Sequence, residues 1–469
     1  MAEVHNPPTA PSLALVPRSV VWFRRDLRLH DHPALLAARD AGGEGVLPLF
    51  VLDPALWRPA GAARQAYLLR SLRAHGGDIE QRGGRLHVRR GDPVDEVLRA
   101  ARSAGASTVH VSADFAPYGA RRDRAVEKLL AEQGIDLVRT GSPYAVNPGR
   151  VRTRQGSPYS VFTPFSRAWA ELGWREPARL PRDVTWATTR GEGEDLYVEP
   201  DLGDLELPPA GERAARERWR AFRDDGLDRY ADRRDRPDLA GTSQLSHHLK
   251  WGEIHPRTLL ADLAGRSGKG PRTFRQELAW REFYADVLHH NPGSARNYLR
   301  TEYGRMLYDD PDERFDAWRR GSTGFPFVDA GMRQLLAEGW MHNRLRMVVA
   351  SFLVKDLHVE WQHGARHFMR HLRDADLASN QHGWQWTAGS GTDAAPYFRV
   401  FNPVSQGRRF DPDGDYVRRY VRELGHLPGD AAHEPWDHPD GYAHGYTERI
   451  VDHGVEREEA LRRHEAVRR

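Results

Sequence analysis

Polar, aromatic and glycine residues are concentrated between positions 380 and 393, inside a region that otherwise has helical periodicity. This stretch carries Trp384 and Trp386, two indoles that are two residues apart, whereas one face of a helix repeats every three or four residues. Just upstream, Asp374 and Asp376 supply two carboxylates. Such a pair can ligate a metal, hydrogen-bond to a heterocycle or a ribose, or cap a helix. No further acidic residues follow at calcium-loop spacing, so the last two interpretations stay open.

A second candidate site consists of three histidines, His363, His367 and His371, which repeat every four residues. On a helix they would share one face and could bind a metal. The chain has no nearby carboxylate of the HExxH type at this point, so we favour a basic, solvated helix and predict no metal site.

Composition excludes several classes of protein. The 469 residues are 39% hydrophobic and 29% charged, which favours folded domains over a disordered chain. The absence of Cys excludes disulfides, thiolate nucleophiles and Cys-ligated metal clusters. The net charge of +3 is too small to identify a polyanionic partner. No apolar run is long enough to span a membrane, and residues 1–17 resemble a disordered leader more than a signal peptide. We therefore expect a cytoplasmic protein.

The elements that must position these residues fall into two halves. Between residues 18 and 145, β-rich runs alternate with helical stretches, which predicts βαβ units, a parallel sheet and a Rossmann-like α/β domain. The predicted strands are residues 19–25, 46–52, 85–91, 108–113 and 136–140.

Residues 146–212 contain many turn residues and little regular period, so we predict a long connection between domains. From residue 213 to 469 the strand signals disappear and the apolar residues repeat with the helical period. We predict that this second half is an all-α domain.

Five segments together resemble the DNA photolyase/cryptochrome family, in particular its class I enzymes for cyclobutane pyrimidine dimers. They are WFRRDLRLHDHPAL (22–35), GTSQLS (241–246), ELAWREFY (277–284), GWMHNRLRMVVASFLVKDL (339–357) and DADLASNQHGWQWTAGSGTDAAPYFRVFNP (374–403). The resemblance implies an α/β antenna domain, a linker and a helical domain that holds FAD in a U shape. It also implies light-driven repair, in which reduced FAD donates an electron to the dimer. The alternative is a cryptochrome, a blue-light receptor without repair activity.

The resemblance implies the following FAD-binding residues. The phosphate segment is Tyr230, Thr242, Ser243, Gln244, Leu245 and Ser246, with Gln244 where the family usually has Arg. Asp374, Ala375 and Asp376 would lie against the flavin ring and ribose, and Arg346 would pair with Asp374. Asn380 would face flavin N5, where a neutral amide can adapt its hydrogen bonds to the charge of the flavin. His382 stands beside it where the family has Gly.

The resemblance also implies that the protein acts on UV-damaged single- or double-stranded DNA, from which the lesion is flipped out. It implies no protein partner, and we expect a monomer, although the sequence carries no signal for the oligomeric state. Glu277 would hydrogen-bond the dimer. The residues that match lesion or phosphate contacts are Arg234, Glu277, Trp280, Arg281, Asn343, Met347, Trp386 and Gln406. Glu277 and Trp280, and likewise Asn343 and Met347, are spaced to share a helical face.

Two further sets of residues follow from the resemblance. Trp384 and Trp361 match the first two tryptophans of an electron-transfer chain to the flavin, and Tyr308 occupies the position of the third. Asp114 and Lys250 match residues that bind an antenna chromophore. The segment DFAPYGARRD, residues 114–123, is similar to the branch that uses 8-hydroxy-5-deazaflavin. We predict this chromophore, with methenyltetrahydrofolate, a flavin or an empty site as alternatives.

Overall fold

The first half of the chain folds around a five-stranded parallel sheet. The structure is a computed structural model that describes residues 18–41, 43–180, 183–187, 196–393 and 398–468. The predicted leader, residues 1–17, lies outside these ranges. The strands run in the order β3-β2-β1-β4-β5. Their bounds are β1 Arg18–Phe23, β2 Val46–Leu52, β3 His87–Arg90, β4 Ala106–Val111 and β5 Asp136–Arg139. All five predicted strands are confirmed.

The sheet is covered on both faces, which explains why its central strands are mostly buried. Alternate residues of β1 belong to different cores: Val20 and Trp22 pack in one core, and Val21 and Phe23 in the other. The helices of this half are α1 Pro33–Ala41, α2 Pro54–Trp57, α3 Ala62–Glu80, α4 Pro93–Ala104 and α5 Pro117–Ala131.

The chain order of the strands reverses at β1, which lies between β2 and β4. Open parallel sheets bind ligands at such a point, beyond the carboxyl ends of the strands. In this sheet Arg24 and Arg25 follow β1, and Ser112 and Asp114 follow β4. The residues of this crevice lie against the helical half, because Arg25 contacts Asp376.

The second half is helical, as predicted. Among the described residues beyond 139 the structure has no strand, only two isolated bridges, Val46 with Trp186 and Asp309 with Val359. The helices are α6 Phe162–Leu172, α7 Glu212–Asp225, α8 Tyr230–Arg233, α9 Ser246–Trp251, α10 Pro256–Asp262, α11 Lys269–His290, α12 Glu313–Arg320, α13 Pro326–Glu338, α14 Asn343–Lys355, α15 Trp361–His371, α16 Leu377–Ala388, α17 Pro403–Phe410, α18 Asp415–Tyr420 and α19 His453–Arg468.

Helix α6 lies inside the segment that we predicted to be an irregular connection. Its apolar residues Phe162, Phe165 and Trp169 are buried, and they pack with α11 in one core. The sequence signal is weak because Pro and Gly residues flank the helix and only 11 residues are helical. The predicted boundaries at 145 and 212 stay predictions. No helix in the described part of the chain is long and apolar enough to cross a membrane.

Candidate functional site

One cavity of about 520 Å³ collects most of the predicted site residues, within the size range of ligand sites. Helices α8, α9, α11, α14, α15 and α16 contribute to its walls, together with Leu372, Asp374, Ala375 and Asp376. The predicted residues that line it are Tyr230, Arg234, Ser243, Leu245, Ser246, Lys250, Glu277, Trp280, Arg281, Asn343, Arg346, Met347, Asp374, Ala375, Asp376, Asn380, Trp384 and Trp386. The predicted residues that do not line it are Asp114, Thr242, Gln244, Tyr308, Trp361 and Gln406.

Helix α16 positions the polar and aromatic residues of the 380–393 stretch. The first part of this stretch is therefore helical, because α16 continues to Ala388. The helix ends at Gly389, whose φ of 86° is left-handed. Asp376 caps the helix by accepting a hydrogen bond from the Ser379 amide at 3.1 Å. The capping interpretation of this carboxylate is thus confirmed. Trp384 and Trp386, two residues apart, both reach the cavity.

Asp374 is held by Arg346 at the inner end of the cavity. The Arg346 Nη2 donates to Asp374 Oδ2 at 2.8 Å, which confirms the predicted pair. The Asp374 side chain is 1% exposed, and its Oδ1 is buried without a hydrogen-bond partner in the described structure. A buried carboxylate oxygen without a donor is costly, so it indicates a site for a ligand that brings one.

Asp376 forms the second inner ion pair, with Arg25 from the end of β1. The Arg25 Nη2 lies 2.5 Å from Asp376 Oδ2, and the Asp376 side chain is 13% exposed. Burial raises the pKa of this carboxyl, but Arg25, Lys250 and Arg281 lower it by more, and its pKa stays well below the usual range. We refer to Arg346–Asp374 and Arg25–Asp376 as the inner pairs.

Asn380 and His382 lie on opposite sides of the helix. The Asn380 Nδ2 donates to the carbonyl of Ala365 at 3.2 Å and to Gln381 Oε1 at 2.7 Å, and the residue lines the cavity. His382 does not line it. Its side chain is buried 5.8 Å from the Tyr284 ring, and burial lowers its pKa to about 4. His382 is therefore neutral near pH 7 and adds no charge beside Asn380.

Two other ion pairs in the same cavity are more exposed to solvent than the inner pairs. We call them the outer pairs. Arg234 pairs with Glu277, and Arg344 Nη2 lies 2.9 Å from Asp235 Oδ1. The two carboxylate side chains are 31% and 37% exposed. Burial in the cavity wall raises the pKa of Glu277, and Arg234 opposes this effect.

Trp280 has one face covered by Phe162 of α6. The two rings stack at 3.7 Å with an angle of 8° between their planes. The indole is thus held in a fixed orientation while it lines the cavity. On α14, Asn343 and Met347 share one face as predicted, with Asn343 Nδ2 4.0 Å from the Met347 sulfur.

The Arg281 side chain makes its contacts with other groups of the protein. Its guanidinium donates to the carbonyls of Pro143 at 2.9 Å and Leu249 at 3.3 Å, and it lies over the Tyr144 ring. It also lowers the pKa of Asp376. These contacts associate Arg281 with the inner pairs, and the predicted contact with DNA stays a prediction without geometric support.

The predicted electron-transfer residues lie in one hydrophobic core. Trp384 and Trp361 are both buried there, and Tyr308 packs against it. The tyrosine ring that meets Trp361 is that of Tyr298, at 6.1 Å, and its hydroxyl donates to Glu360 at 2.9 Å. Burial raises the pKa of the Tyr308 hydroxyl to about 12, and a side-chain hydrogen bond with Tyr298 opposes this shift.

The two predicted antenna residues lie on either side of Arg25. Asp114 follows β4, where its Oδ1 accepts a hydrogen bond from the Ala116 amide at 3.1 Å. Lys250 lines the main cavity, and its backbone carbonyl is 3.5 Å from Arg25 Nε. Burial lowers the pKa of the Lys250 amine to about 7. Lys250 therefore belongs to the main cavity as well as to the region of the sheet crevice.

Sequence reasoning missed Arg25, Phe162, Asp235, Tyr298 and Arg344. Arg344 and Asp235 are direct neighbours of predicted residues, so a closer reading of charge around Arg234 and Arg346 would have found them. No local signal identifies the other three, because their partners are distant in the chain.

Comparisons with known proteins agree with this geometry. The DNA photolyase family model matches residues 19–182, and the model for the FAD binding domain of DNA photolyase matches residues 274–466. A deoxyribodipyrimidine photo-lyase of Streptomyces griseus is 44% identical over 89% of this chain and 92% of its own length.

Two solved structures share the fold. A class III photolyase from Agrobacterium tumefaciens has a TM-score of 0.91 at 38% identity, and the match covers 98% of this chain and 100% of that one. An archaeal photolyase from Sulfolobus tokodaii with two FAD molecules has a TM-score of 0.81 at 27% identity, covering 96% and 100%. The predicted assignment to class I is not specified by these matches and stays a prediction.

Proposed function

The chain belongs to the DNA photolyase family, and on that basis we propose that it splits cyclobutane pyrimidine dimers in DNA with light, inside the cavity between α11, α14 and α16. The observation that carries this proposal is the cavity itself. It joins buried ion pairs suited to a cofactor and exposed ion pairs suited to damaged DNA.

The cavity fits FAD. Its wall contains the buried, unpartnered Asp374 Oδ1, which can accept a hydrogen bond from the cofactor. Ser243 and Ser246 supply hydroxyls for phosphates, and Trp384 supplies an aromatic wall. Asp376 and Arg346 then orient the bound group, and Asn380 offers an amide that can hydrogen-bond to more than one charge state. FAD supplies the light-driven electron for the repair reaction.

The remaining cavity residues receive the lesion. Trp280 and Trp386 provide aromatic surfaces for bases that are no longer stacked in the duplex. We assign to Glu277, which lines the same cavity, the role of accepting hydrogen bonds from a pyrimidine edge. Asn343 and Met347 line the same cavity. We assign to Arg234 the neutralisation of a flanking phosphate, and Gln406, which does not line the cavity, stays a predicted DNA contact.

The oxidisable side chains supply electrons to the cavity from the protein surface. Trp384 lies in the cavity wall and shares a core with Trp361. Tyr298 and Tyr308 extend this set beyond Trp361. A tyrosine must lose its phenolic proton when it is oxidised, and Glu360 is in position to accept the proton of Tyr298.

We assign the antenna chromophore to the crevice beyond β1 and β4, with Asp114 and Lys250 as its binding residues. We favour 8-hydroxy-5-deazaflavin. Expression in a host that makes this compound should add an absorption band in the blue or near-UV and raise repair at that wavelength. A second FAD in the same preparation, or an unchanged action spectrum after reconstitution, would contradict the deazaflavin assignment and leave repair by the main cavity intact.

The test of the function is a repair assay. Purified protein is chemically reduced, mixed with an oligonucleotide that contains one thymine dimer, and exposed to near-UV or blue light or kept in the dark. We expect intact thymines only in the illuminated sample. A flavin-containing protein that forms no product in light would contradict repair and favour a light receptor.

A further inference from the structure

Two consecutive arginines at the end of β1 serve different halves of the molecule. Arg24 remains with the sheet: its Nη1 lies 2.5 Å from Asp123 Oδ1, and its Nη2 donates to the carbonyl of Ser112. Arg25 points the other way and reaches Asp376 at the N-terminus of α16, also at 2.5 Å. Both guanidiniums are largely buried, at 10% and 17% exposure. Substitutions of Arg24 and Arg25 can therefore be compared with each other.

Arg25 is surrounded by acidic and polar groups from four parts of the chain. Asp376 and Asp114 both act on it electrostatically, one from the cavity and one from the sheet crevice, and Tyr144 lies beside it. Its Nε is 3.5 Å from the carbonyl of Lys250. One guanidinium is thus shared by the two places where the molecule can hold a chromophore.

We propose that Arg25 is a positioning residue for the cofactor, which holds Asp376 ionised and in a fixed orientation at the wall of the main cavity. This inference rests on the proposed function, because it assumes that FAD occupies that cavity. It assigns to the α/β half a part in cofactor binding, and it gives a role to a residue of segment 22–35 to which the sequence analysis assigned none.

Asp376 requires a permanently charged partner because its carboxylate caps helix α16. Its Oδ1 caps the helix that carries Asn380, Trp384 and Trp386, so a change in its orientation moves the whole inner wall. The other groups that face Asp376 are Lys250, Arg281 and Tyr144.

None of these three groups replaces Arg25. Arg281 donates to two backbone carbonyls. The Lys250 amine, with a pKa of about 7, is only partly charged at neutral pH. Arg25 is the cation in direct contact with the carboxylate, and a guanidinium remains charged throughout the physiological range.

The alternative is that the ion pair only fastens the two halves of the protein together. In that case the loss of Arg25 would lower the stability of the fold without a specific effect on the cofactor. Arg24→Gln is the matched control, because it removes an even more buried ion pair from the adjacent position and leaves Asp376 untouched.

The experiment compares holoprotein of the wild type, Arg25→Gln, Arg25→Lys and Arg24→Gln. FAD release after dilution is followed by flavin fluorescence, and the visible absorption and circular dichroism of bound flavin are recorded. Thermal unfolding of each apoprotein reports the cost to the fold. We expect Arg25→Gln to release FAD at least tenfold faster with an altered flavin spectrum. We expect Arg25→Lys to restore most of both properties, and Arg24→Gln to keep the wild-type spectrum and release rate.

Equal release rates and spectra for Arg25→Gln and the wild type would overturn the inference. So would equal acceleration in the two Gln variants in step with their loss of apoprotein stability. If Arg25→Gln does not fold, Asp376→Asn tests the contact from the other side, and an unchanged spectrum and release rate in that variant would also overturn it. A wild-type protein that binds no FAD would instead refute the proposed function, so the two failures are distinguishable.

Discussion

The inner and outer ion pairs of the cavity contain the same chemical groups but differ in their access to solvent. The inner carboxylates of Asp374 and Asp376 are 1% and 13% exposed, whereas those of Glu277 and Asp235 are 31% and 37% exposed. Breaking a buried pair leaves a charge without solvent, which costs much more than breaking an exposed one. The inner pairs therefore suit a resident cofactor, and the outer pairs suit a substrate that binds and dissociates.

The largest effect should come from an inner pair. Arg346→Leu leaves Asp374 charged, buried and unpaired, with a cost of about 3 kcal/mol, so we expect FAD to bind on the order of 100-fold more weakly. Titration of apoprotein with FAD measures this change. Arg344→Leu, two residues earlier on the same helix, breaks an outer pair and is the control. Similar FAD affinities in the two variants would remove the distinction between inner and outer pairs.

Trp280 tests the outer side of the cavity without a change of charge. Trp280→Ala removes an indole that Phe162 holds in place, and loss of base stacking should cost about 1–3 kcal/mol of affinity for dimer-containing DNA. Fluorescence anisotropy with damaged and undamaged oligonucleotides gives this difference. Trp280→Phe should recover part of it, and FAD content should be unchanged in both variants. An unchanged affinity for damaged DNA would place the lesion elsewhere.

A smaller effect is expected at the outer pair formed by Glu277. Glu277→Gln frees Arg234 for phosphates, so affinity for undamaged DNA should rise by less than about 1 kcal/mol with a steeper dependence on salt. Selectivity for the dimer should fall at the same time. Arg233→Gln, at the exposed neighbouring position, controls for general charge effects. If Glu277→Gln bound undamaged DNA more weakly, Arg234 would not be available to phosphates.

The last effect concerns stability instead of binding, and it comes from His382, a buried group whose pKa is shifted by burial alone. Its pKa in the folded protein is about 4, below the value of about 6.5 in the unfolded chain, so the unfolded chain takes up a proton first on acidification. Its contribution to stability is therefore lost as the pH falls from 6.5 towards 4. His382→Gln should reduce the loss of unfolding free energy between pH 7.5 and 5.5 by about 1 kcal/mol, as measured by denaturant titration. An equal pH dependence in the two proteins would show that the pKa of His382 is not lowered in the folded protein.

The sequence predicted what local spacing and motif resemblance can specify. The apolar runs identified all five strands, and the shared helical face of Asn343 and Met347 is present. The Arg346–Asp374 pair followed from the resemblance. Contacts between distant segments were missed, because neither propensity nor periodicity reports them: Arg25 and Asp376 are 351 positions apart. The stacking of Phe162 on Trp280 was missed for the same reason, together with the short helix that carries Phe162.

The central claim is that the inner pairs bind the cofactor and the outer region binds the lesion. Its most direct test is light-dependent repair per bound FAD in Arg346→Leu and Trp280→Ala. Each variant is chemically reduced and assayed over a range of concentrations of dimer-containing DNA. For Arg346→Leu we expect total repair to fall with FAD content, while repair per bound FAD stays near that of the wild type. For Trp280→Ala we expect full FAD content and a deficit that saturating DNA largely removes. A Trp280→Ala protein that loses FAD, or an Arg346→Leu protein that keeps FAD and fails at low DNA only, would contradict the assignment of the inner pairs to the cofactor and the outer region to the lesion.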